Sequence, residues 1–597
     1  MSTPVQKYMV LSFGYNDLVG LSGVNGLERI EQEIKQYNLY AILEICAKIS
    51  ITLLNRGMAN PLGQAELLAG IFPNKEQRIR FYDKAKAIAA GSPWAIFNQQ
   101  SIVTLVKMAF MHCDWDSGKS VIPENVELVG YWLLHINDEC FAKESGSRIV
   151  LLSREHERER LREAMARYQF FHGSERLGYK IGRYRWIVDY FKTKKPHGID
   201  IEKLFLDSTG DIPLEDYMTV CSSLLVKWVN ISTKKVDLNQ DWVTCTDVYF
   251  KNTKLSKESI ERVISSIAML PQEFKALYDE SVNEILGGHD EFHYNFMPFV
   301  WKPLVWFQDK KCFICPSAEY LFDKVTEGIY RSIETNLRQK NQKKLRNTFA
   351  IAWGDAFEQY INACFKSAFK KDYFTGIVDS TTKQQEIDGI INSQSFVFMV
   401  ETKSLHWPYK TIVSGKIAES NIATEQLFVK KGLAQIARCI RKVKDGQIVP
   451  KLDRSGKWFI PVLVVAETMP QDTYNRKLYE AIAERARSTA SDIDVLPFII
   501  LTAEEVEILE AIAKDRGSNI AIQILAEYSH MYLRKNEIGL TPDAIGFKNY
   551  LYYRGFENPE KSTNNKRLLT RLVDVMDDVC MRAFGNPIKK RQKPKLH

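Results

Sequence analysis

The chain has 597 residues, 45% hydrophobic and 26% charged. That is ordinary globular usage, and it excludes a wholly disordered chain, a collagen and a disulfide mini-protein. Lys+Arg 81 against Asp+Glu 73 leaves a formal charge of +8, too little for this length to demand a polyanionic partner, so the placement of charge matters more than its sum. Length sets an expectation of about four domains. No apolar run reaches the ~18 residues that span a bilayer, and the start, MSTPVQKYMVLSFGYNDLVG, lacks a basic segment followed by a long apolar one. Neither a membrane span nor a signal peptide is expected. The ten cysteines stand mostly alone in apolar stretches such as Ile45-Cys46 and Val220-Cys221, which suits reduced thiols in a cytoplasmic protein.

Residues 1–335 read mostly as helix. From Leu27 to Leu53, apolar residues recur at helical spacing (Ile30, Ile34, Leu39, Ile42, Leu43, Ile45, Cys46, Ile49), with Gly57 as a stop. Further helices are predicted over 75–90, 98–111, 153–170, 214–230 and 256–285, with a β interruption at Phe299–Cys315. No fixed-period repeat is present. A basic stretch follows at 337–347, LRQKNQKKLRN, with no acid in it. A long amphipathic helix is predicted at roughly 347–370. Strands are predicted at Gln384–Asn392, Ser395–Ser404, Trp458–Val465 and Val495–Thr502, with a helix at Ala423–Val443 between the second and third. This α-β-β-α-β order marks a compact α/β domain distinct from the helical front. The chain returns to helix from about 504 to 585 and ends in the basic PIKKRQKPKLH.

The stretch 384–404, QQEIDGIINSQSFVFMVETKS, carries the chemistry. Period-two alternation puts Gln384, Glu386, Asp388 and Ile390 on one face of the first strand. The second strand is apolar from Phe396 to Val400 and then charged at Glu401 and Lys403, which share a face. A short connection makes a hairpin in which Asp388 lies beside Glu401. Two carboxylates converging at the end of a buried strand repel each other unless a cation stands between them, and a hard divalent ion takes oxygen ligands of this kind. The ammonium then orients a water or stabilises charge on a phosphate.

Asp388, a short gap, then Glu401-x-Lys403 resembles the core of the PD-(D/E)XK nuclease superfamily, the restriction-endonuclease-like fold. The likeness covers roughly 345–470, with 495–510 as an added strand and helix. Ile387 stands where the name-giving Pro would be. The resemblance implies an α-β-β-β-α-β core whose remaining strand lies between Lys403 and Gln435 or after the helix, because LHWPYKTIVSGKIAES reads as irregular. It implies Mg²⁺ or Mn²⁺ held by Asp388, Glu401 and the Thr402 backbone carbonyl, with Lys403 positioning the attacking water. Glu358, in WGDAFEQYINACF, matches an upstream Glu that ligates a second metal or holds a metal-bound water. Gln435 falls where a downstream polar residue orients. Glu386 is the substitute ligand should Asp388 not serve. Glu-x-Lys alone carries little, since it recurs at Glu33-Ile-Lys35 and Glu273-Phe-Lys275 in helical context; a surface hairpin with a charged tip is the plainer alternative.

Other signals are weaker. Arg338, Lys340, Lys343, Lys344 and Arg346 suit a phosphate backbone or a solvated linker equally well. The tail reads as a disordered end. The stretch 176–192 interleaves cations with Tyr and Trp and could stack on bases, although an amphipathic helix with snorkelling cations is the reading preferred here. Segment 154–163, REHERERLRE, reads as an exposed helix with i,i+4 pairs. Cys312-x-x-Cys315 lacks a second ligand pair for zinc, and GGHDEFH at 287–293 reads as a loop. No P-loop is present. The expected architecture is α+α/β: a helical region at 1–335 that binds or senses something, a restriction-endonuclease-like domain at 336–512, and a helical C-terminal region at 513–597. The expected function is metal-dependent cleavage of nucleic acid, DNA before RNA, gated by homo-oligomerisation or a trigger protein. By architectural analogy this resembles anti-phage defence effectors. The alternative is a non-catalytic nucleic-acid-binding protein or a helical scaffold retaining the fold.

Overall fold

The computed structural model describes residues 11–142 (with breaks at 21–25, 57, 59, 91–93 and 115–125), 167, 177–232, 244–415 (breaks at 289–291 and 405), 432, 434–449 and 457–467. It also describes 496, 498–531, 546–548, 550–551, 554, 556, 579 and 581–583. The helix expected over 153–170, the basic tail and most of the predicted segment 423–433 lie outside these residues. The chain divides into two compact units, one of 1–161, 202–336 and 573–597, the other of 162–201 and 337–572. The segment 162–201 thus groups with the second unit, away from the residues that flank it in sequence.

The first unit is built of helices with two small sheets. Asn60, Asn74 and Asn98 cap helices Pro61–Ile71, Lys75–Ala89 and Gln99–His112 by accepting hydrogen bonds from their first-turn amides, satisfying donors that have no intrahelical partner. The long helix expected over 27–53 is two, Gly26–Ile34 and Leu39–Arg56. Asn38 interrupts it: its side chain accepts from the Tyr40 amide at 2.9 Å, a local bond that competes with helix continuation. The helix expected over 256–285 is also two, Lys257–Ile267 and Phe274–Glu284. Between them Ala268–Met269 pairs with Leu304–Val305, and Pro271 removes a donor. The β interruption is strands Leu304–Phe307 and Cys312–Ile314, preceded by a short helix, Met297–Trp301. No helix among the described residues is long and apolar enough to cross a membrane.

The second unit mixes helix and sheet. Its elements in chain order are α1 (Leu177–Lys194), α2 (Lys343–Phe369), β1 (Tyr373–Asp379), β2 (Gln385–Asn392), β3 (Phe396–Lys403), α3 (Tyr409–Ser414), α4 (Ala434–Lys444), β4 (Ile448–Val449), β5 (Trp458–Val465), β6 (Ile499–Thr502), α5 (Ala503–Arg516) and α6 (Ser518–His530). The six strands form one sheet in the order β4-β1-β2-β3-β5-β6. β1, β2 and β3 run antiparallel in turn, while β5 and β6 run parallel to β3. A strand that the sequence reading did not anticipate, β1, precedes Asp388; most of the stretch after Lys403, where a further strand was expected, lies outside the described residues. The pattern of β1 hides it: Thr375 and Gly376 are exposed in mid-strand and Gly376 takes φ +66°, so alternation fails. Within the stretch read as irregular, Tyr409–Ser414 is helix α3, ended by Gly415 at φ +67°.

Packing fixes the sheet between helices. Ile390 and Met399, paired across β2 and β3, join Ile436, Cys439, Ile440 and Val443 of α4 in one buried cluster. α2 buries Phe349, Trp353, Phe357, Tyr360, Ile361, Cys364 and Phe365, the stripe its periodicity predicts. α1 packs on α2 through rings: Phe191 lies 5.7 Å from Trp353, and Trp186 meets Tyr360 edge-on at 5.3 Å. Arg183, buried, donates from Nε to Glu507 of α5 at 2.9 Å, and the Tyr360 hydroxyl donates to the same carboxylate at 2.6 Å. The aromatic and basic content of 176–192 is thus spent largely on packing, the reading preferred from sequence.

Candidate active site

The site begins with where the β2–β3 ladder ends. Its last backbone pair is Gly389 with Val400, so Asp388 and Glu401 are the next positions on the two strands. β5 supports the far side of β3, pairing Leu463 with Glu401 and Val465 with Lys403. Asp388 Oδ2 accepts the Thr402 amide hydrogen at 2.7 Å. The Lys403 ammonium forms an ion pair with Glu401 Oε1. Glu358, from α2, accepts from Asn362 Nδ2 at 3.3 Å and Gln385 Nε2 at 3.5 Å, and the same Gln385 amide donates to Asp388 Oδ1 at 3.3 Å. The structure therefore brings Glu358, Asp388, Glu401 and Lys403 together at one end of β3.

Burial and mutual repulsion dominate the electrostatics. Glu401 is 1% exposed and Asp388 7%. Desolvation, then the Asp388 charge, push the Glu401 carboxyl up to about 8. Desolvation followed by Asp388 and Asp355 raises Glu358 to about 7. Asp388 is also raised by burial, against the pull of the Thr402 amide and Lys403. These directions are what carboxylates show when removed from water beside like charge.

The other site residues expected from the sequence are placed as follows. Thr402 is buried, its amide committed to Asp388. Gln435 lies half-buried in the first turn of α4 and, among the described residues, makes no hydrogen bond to the four clustered side chains. Arg338, Lys340, Lys343 and Lys344 are exposed and Arg346 half-buried, around the start of α2. Glu386 is not the substitute ligand. The β1–β2 register shifts so that Ile377 faces Ile387 while Val378 faces Gln385, leaving Glu386 as an extra, bulged residue. Its carboxylate turns to α4, where Lys442 Nζ lies 2.8 Å and Arg438 Nε 3.6 Å away. Cys312 and Cys315 are buried free thiols in the first unit, and burial raises the Cys315 thiol. The acids and His289 of GGHDEFH lie outside the described residues.

Sequence reasoning missed the supports. Gln385 takes the Asp388 side only because of the bulge, which alternation cannot anticipate. Tyr373 donates its hydroxyl to Asn362 Oδ1 at 2.5 Å, holding the residue that in turn holds Glu358. That hydroxyl passes where a side chain at 389 would stand: a Cβ on Gly389 would lie 2.1 Å from it. Asp355, one turn before Glu358, is contacted at 2.5 Å by Nε2 of His197, from the loop that follows α1. Lys195 (φ 43°) and His197 (φ 51°) hold left-handed backbone there, at about 1–2 kcal/mol for each residue with a Cβ.

The clustered donor set is of the chemical kind a hard divalent cation takes. It is all oxygen, and Glu401 Oε2 is buried without a hydrogen-bond partner among the described residues, a cost a bound cation removes. Among the same residues no group of three or more His, Cys, Asp or Glu side chains is placed so that it could hold a metal ion; the Lys403 ammonium sits on Glu401 and supplies the local positive charge. Comparison with protein-family models, with curated proteins and with solved structures gives no match.

Proposed function

We propose that this chain is a metal-dependent nuclease that hydrolyses phosphodiester bonds of nucleic acid, DNA before RNA. The observation that carries the reading is the convergence of Glu358, Asp388, Glu401 and Lys403 at one strand end, reached, with the short α3 and β4 set aside, through an α2-β1-β2-β3-α4-β5 order. That order matches the α-β-β-β-α-β core implied by the PD-(D/E)XK resemblance. Asp388, Glu401 and the Thr402 carbonyl would hold Mg²⁺ or Mn²⁺. When bound, such an ion stabilises developing charge on the phosphate and lowers the pKa of a water.

The chain's own groups supply the rest. Lys403 donates from Nζ to a phosphate oxygen or to the attacking water, and its charge offsets the cluster's. The water oxygen attacks phosphorus in line, the water's proton passes to a carboxylate, and the bond to the leaving sugar oxygen breaks as that oxygen takes a proton from solvent. Glu358, joined to Asp388 through the Gln385 amide, is the carboxylate placed to hold that water or take its proton. Gln385, donating to both Glu358 and Asp388, fixes their separation before substrate arrives.

The test incubates purified protein with plasmid, linear DNA and RNA in Mg²⁺, Mn²⁺ or EDTA. Cleavage should require the metal, vanish in Asp388→Ala and fall on the order of a hundred-fold or more in Lys403→Ala, with folding unchanged. Cleavage in EDTA, or in both variants, rejects the site. Binding without cleavage under every metal assigns the chain instead to the non-catalytic nucleic-acid-binding proteins.

A further inference from the structure

A nucleic-acid strand cut at the cluster needs an anchor beside it, and α1, packed on α2, carries an aromatic face there. Tyr190 and Trp186, one turn apart on α1, stack face to face with ring centroids 5.4 Å apart and planes within 12°. Trp186 is braced edge-on by Tyr360, two residues beyond Glu358 on α2. Both rings remain half-exposed. The packing of Trp186 on Tyr360 sets this aromatic pair against the α2 segment that carries Glu358. The chain then turns through the left-handed Lys195 and His197, with Lys195 Nζ held 2.7 Å from Asp200, and delivers the exposed His197 imidazole to Asp355. Lys194, also exposed, adds a cation at the same end.

We propose that Tyr190, backed by Trp186, and His197, held on Asp355, form a base-binding platform beside the candidate active site, and that the substrate is a nucleic-acid strand presenting an unpaired base. Single-strand binders pair aromatic side chains, on which any base can stack, with cations that track the backbone; here the braced aromatic face stands beside the exposed Lys194. A base inside a duplex is covered on both faces by its neighbours and cannot reach such a ring without being turned out. The proposal deepens the nuclease reading of the same site by naming its substrate class. DNA and RNA share this chemistry, and the test separates them.

The test uses the full chain carrying Asp388→Asn, so that cleavage does not intervene, and fluorescence anisotropy with labelled oligothymidine, oligouridine and a blunt DNA duplex. Tyr190→Ala should weaken binding of the preferred single strand roughly ten-fold or more, and leave duplex binding unchanged. Tyr190→Phe should restore the affinity, which separates stacking from misfolding. The strand that loses more identifies the sugar. Unchanged single-strand affinity in Tyr190→Ala, or an equal loss on duplex, overturns the platform. With Asp388 restored, a chain that shows the single-strand loss in Tyr190→Ala but cleaves nothing in Mg²⁺ or Mn²⁺ supports the platform while rejecting the nuclease; metal-dependent cleavage of single strands unchanged by Tyr190→Ala does the reverse.

Discussion

At the scale of single residues, the cluster is a set of carboxyl groups held back from ionising. Glu401 sits near 8 where its ordinary value is 4.5, and Glu358 near 7. A raised carboxyl pKa means that the folded chain binds a proton the unfolded chain has released. The stability this proton brings is complete below about 4.5 and is lost as pH rises towards 8. In EDTA, the thermal midpoint should therefore fall between pH 5 and 8 (about the span of the two pKa values), and Glu401→Gln should flatten that fall. A wild-type midpoint independent of pH, or an unchanged slope in Glu401→Gln, would count against the shifted carboxyl. Activity tests the same side chains differently. Lys403→Ala should lower cleavage on the order of a hundred-fold or more, the usual cost of deleting one preorganised charge-stabilising group. Lys403→Arg, which keeps the charge but not the compact ammonium, should recover only part of it. Full activity in Lys403→Ala would remove the residue from the mechanism.

At the scale of elements, supports decide where those side chains stand. Gly389→Ala places a methyl where the Tyr373 hydroxyl lies. Tyr373 must then leave Asn362, and Asn362 loses the contact that aims it at Glu358. We expect a loss of about 1–3 kcal/mol, the cost of overpacking a tight site, read from urea midpoints. A neutral Gly389→Ala would show that the strands separate easily. The hairpin was legible in the sequence because its signal is local: apolar alternation in β2, a continuous apolar run in β3, then charge where the run stops. Helix α2 was legible for the same reason. β1 was not, because Gly376 interrupts its alternation with a left-handed residue. Nor were Gln385, Asn362 and Tyr373, whose roles depend on a bulge and on a ring crossing a neighbouring strand. The break at Asn38 shows the converse: periodicity ran on through a helix end that a single side-chain hydrogen bond imposes.

At the scale of the whole molecule, the second unit is assembled from segments separated in sequence, and this dictates how it can be cut. Glu507 is fully buried in α5, and its ionic partner is Arg183 of α1, 324 residues away in sequence. A fragment beginning at residue 337 keeps the carboxylate and loses the guanidinium. Removing one member of a buried pair costs about 3–5 kcal/mol because the other charge is left without compensation. The same cut strips Phe191 and Tyr184 from Trp353, exposing apolar surface that favours association between copies. We therefore expect residues 337–572 alone to aggregate or to unfold without a cooperative transition, and co-expression with 162–201 to restore both solubility and a sharp urea midpoint. In the intact chain, Glu507→Gln should lower that midpoint more than Arg183→Met with Glu507→Met together, since the double change removes both charges at similar volume. A fragment 337–572 that unfolds cooperatively at the midpoint of the intact unit would show that α1 is an accessory on this fold, and the platform at Tyr190 would then have to be held by something other than the core.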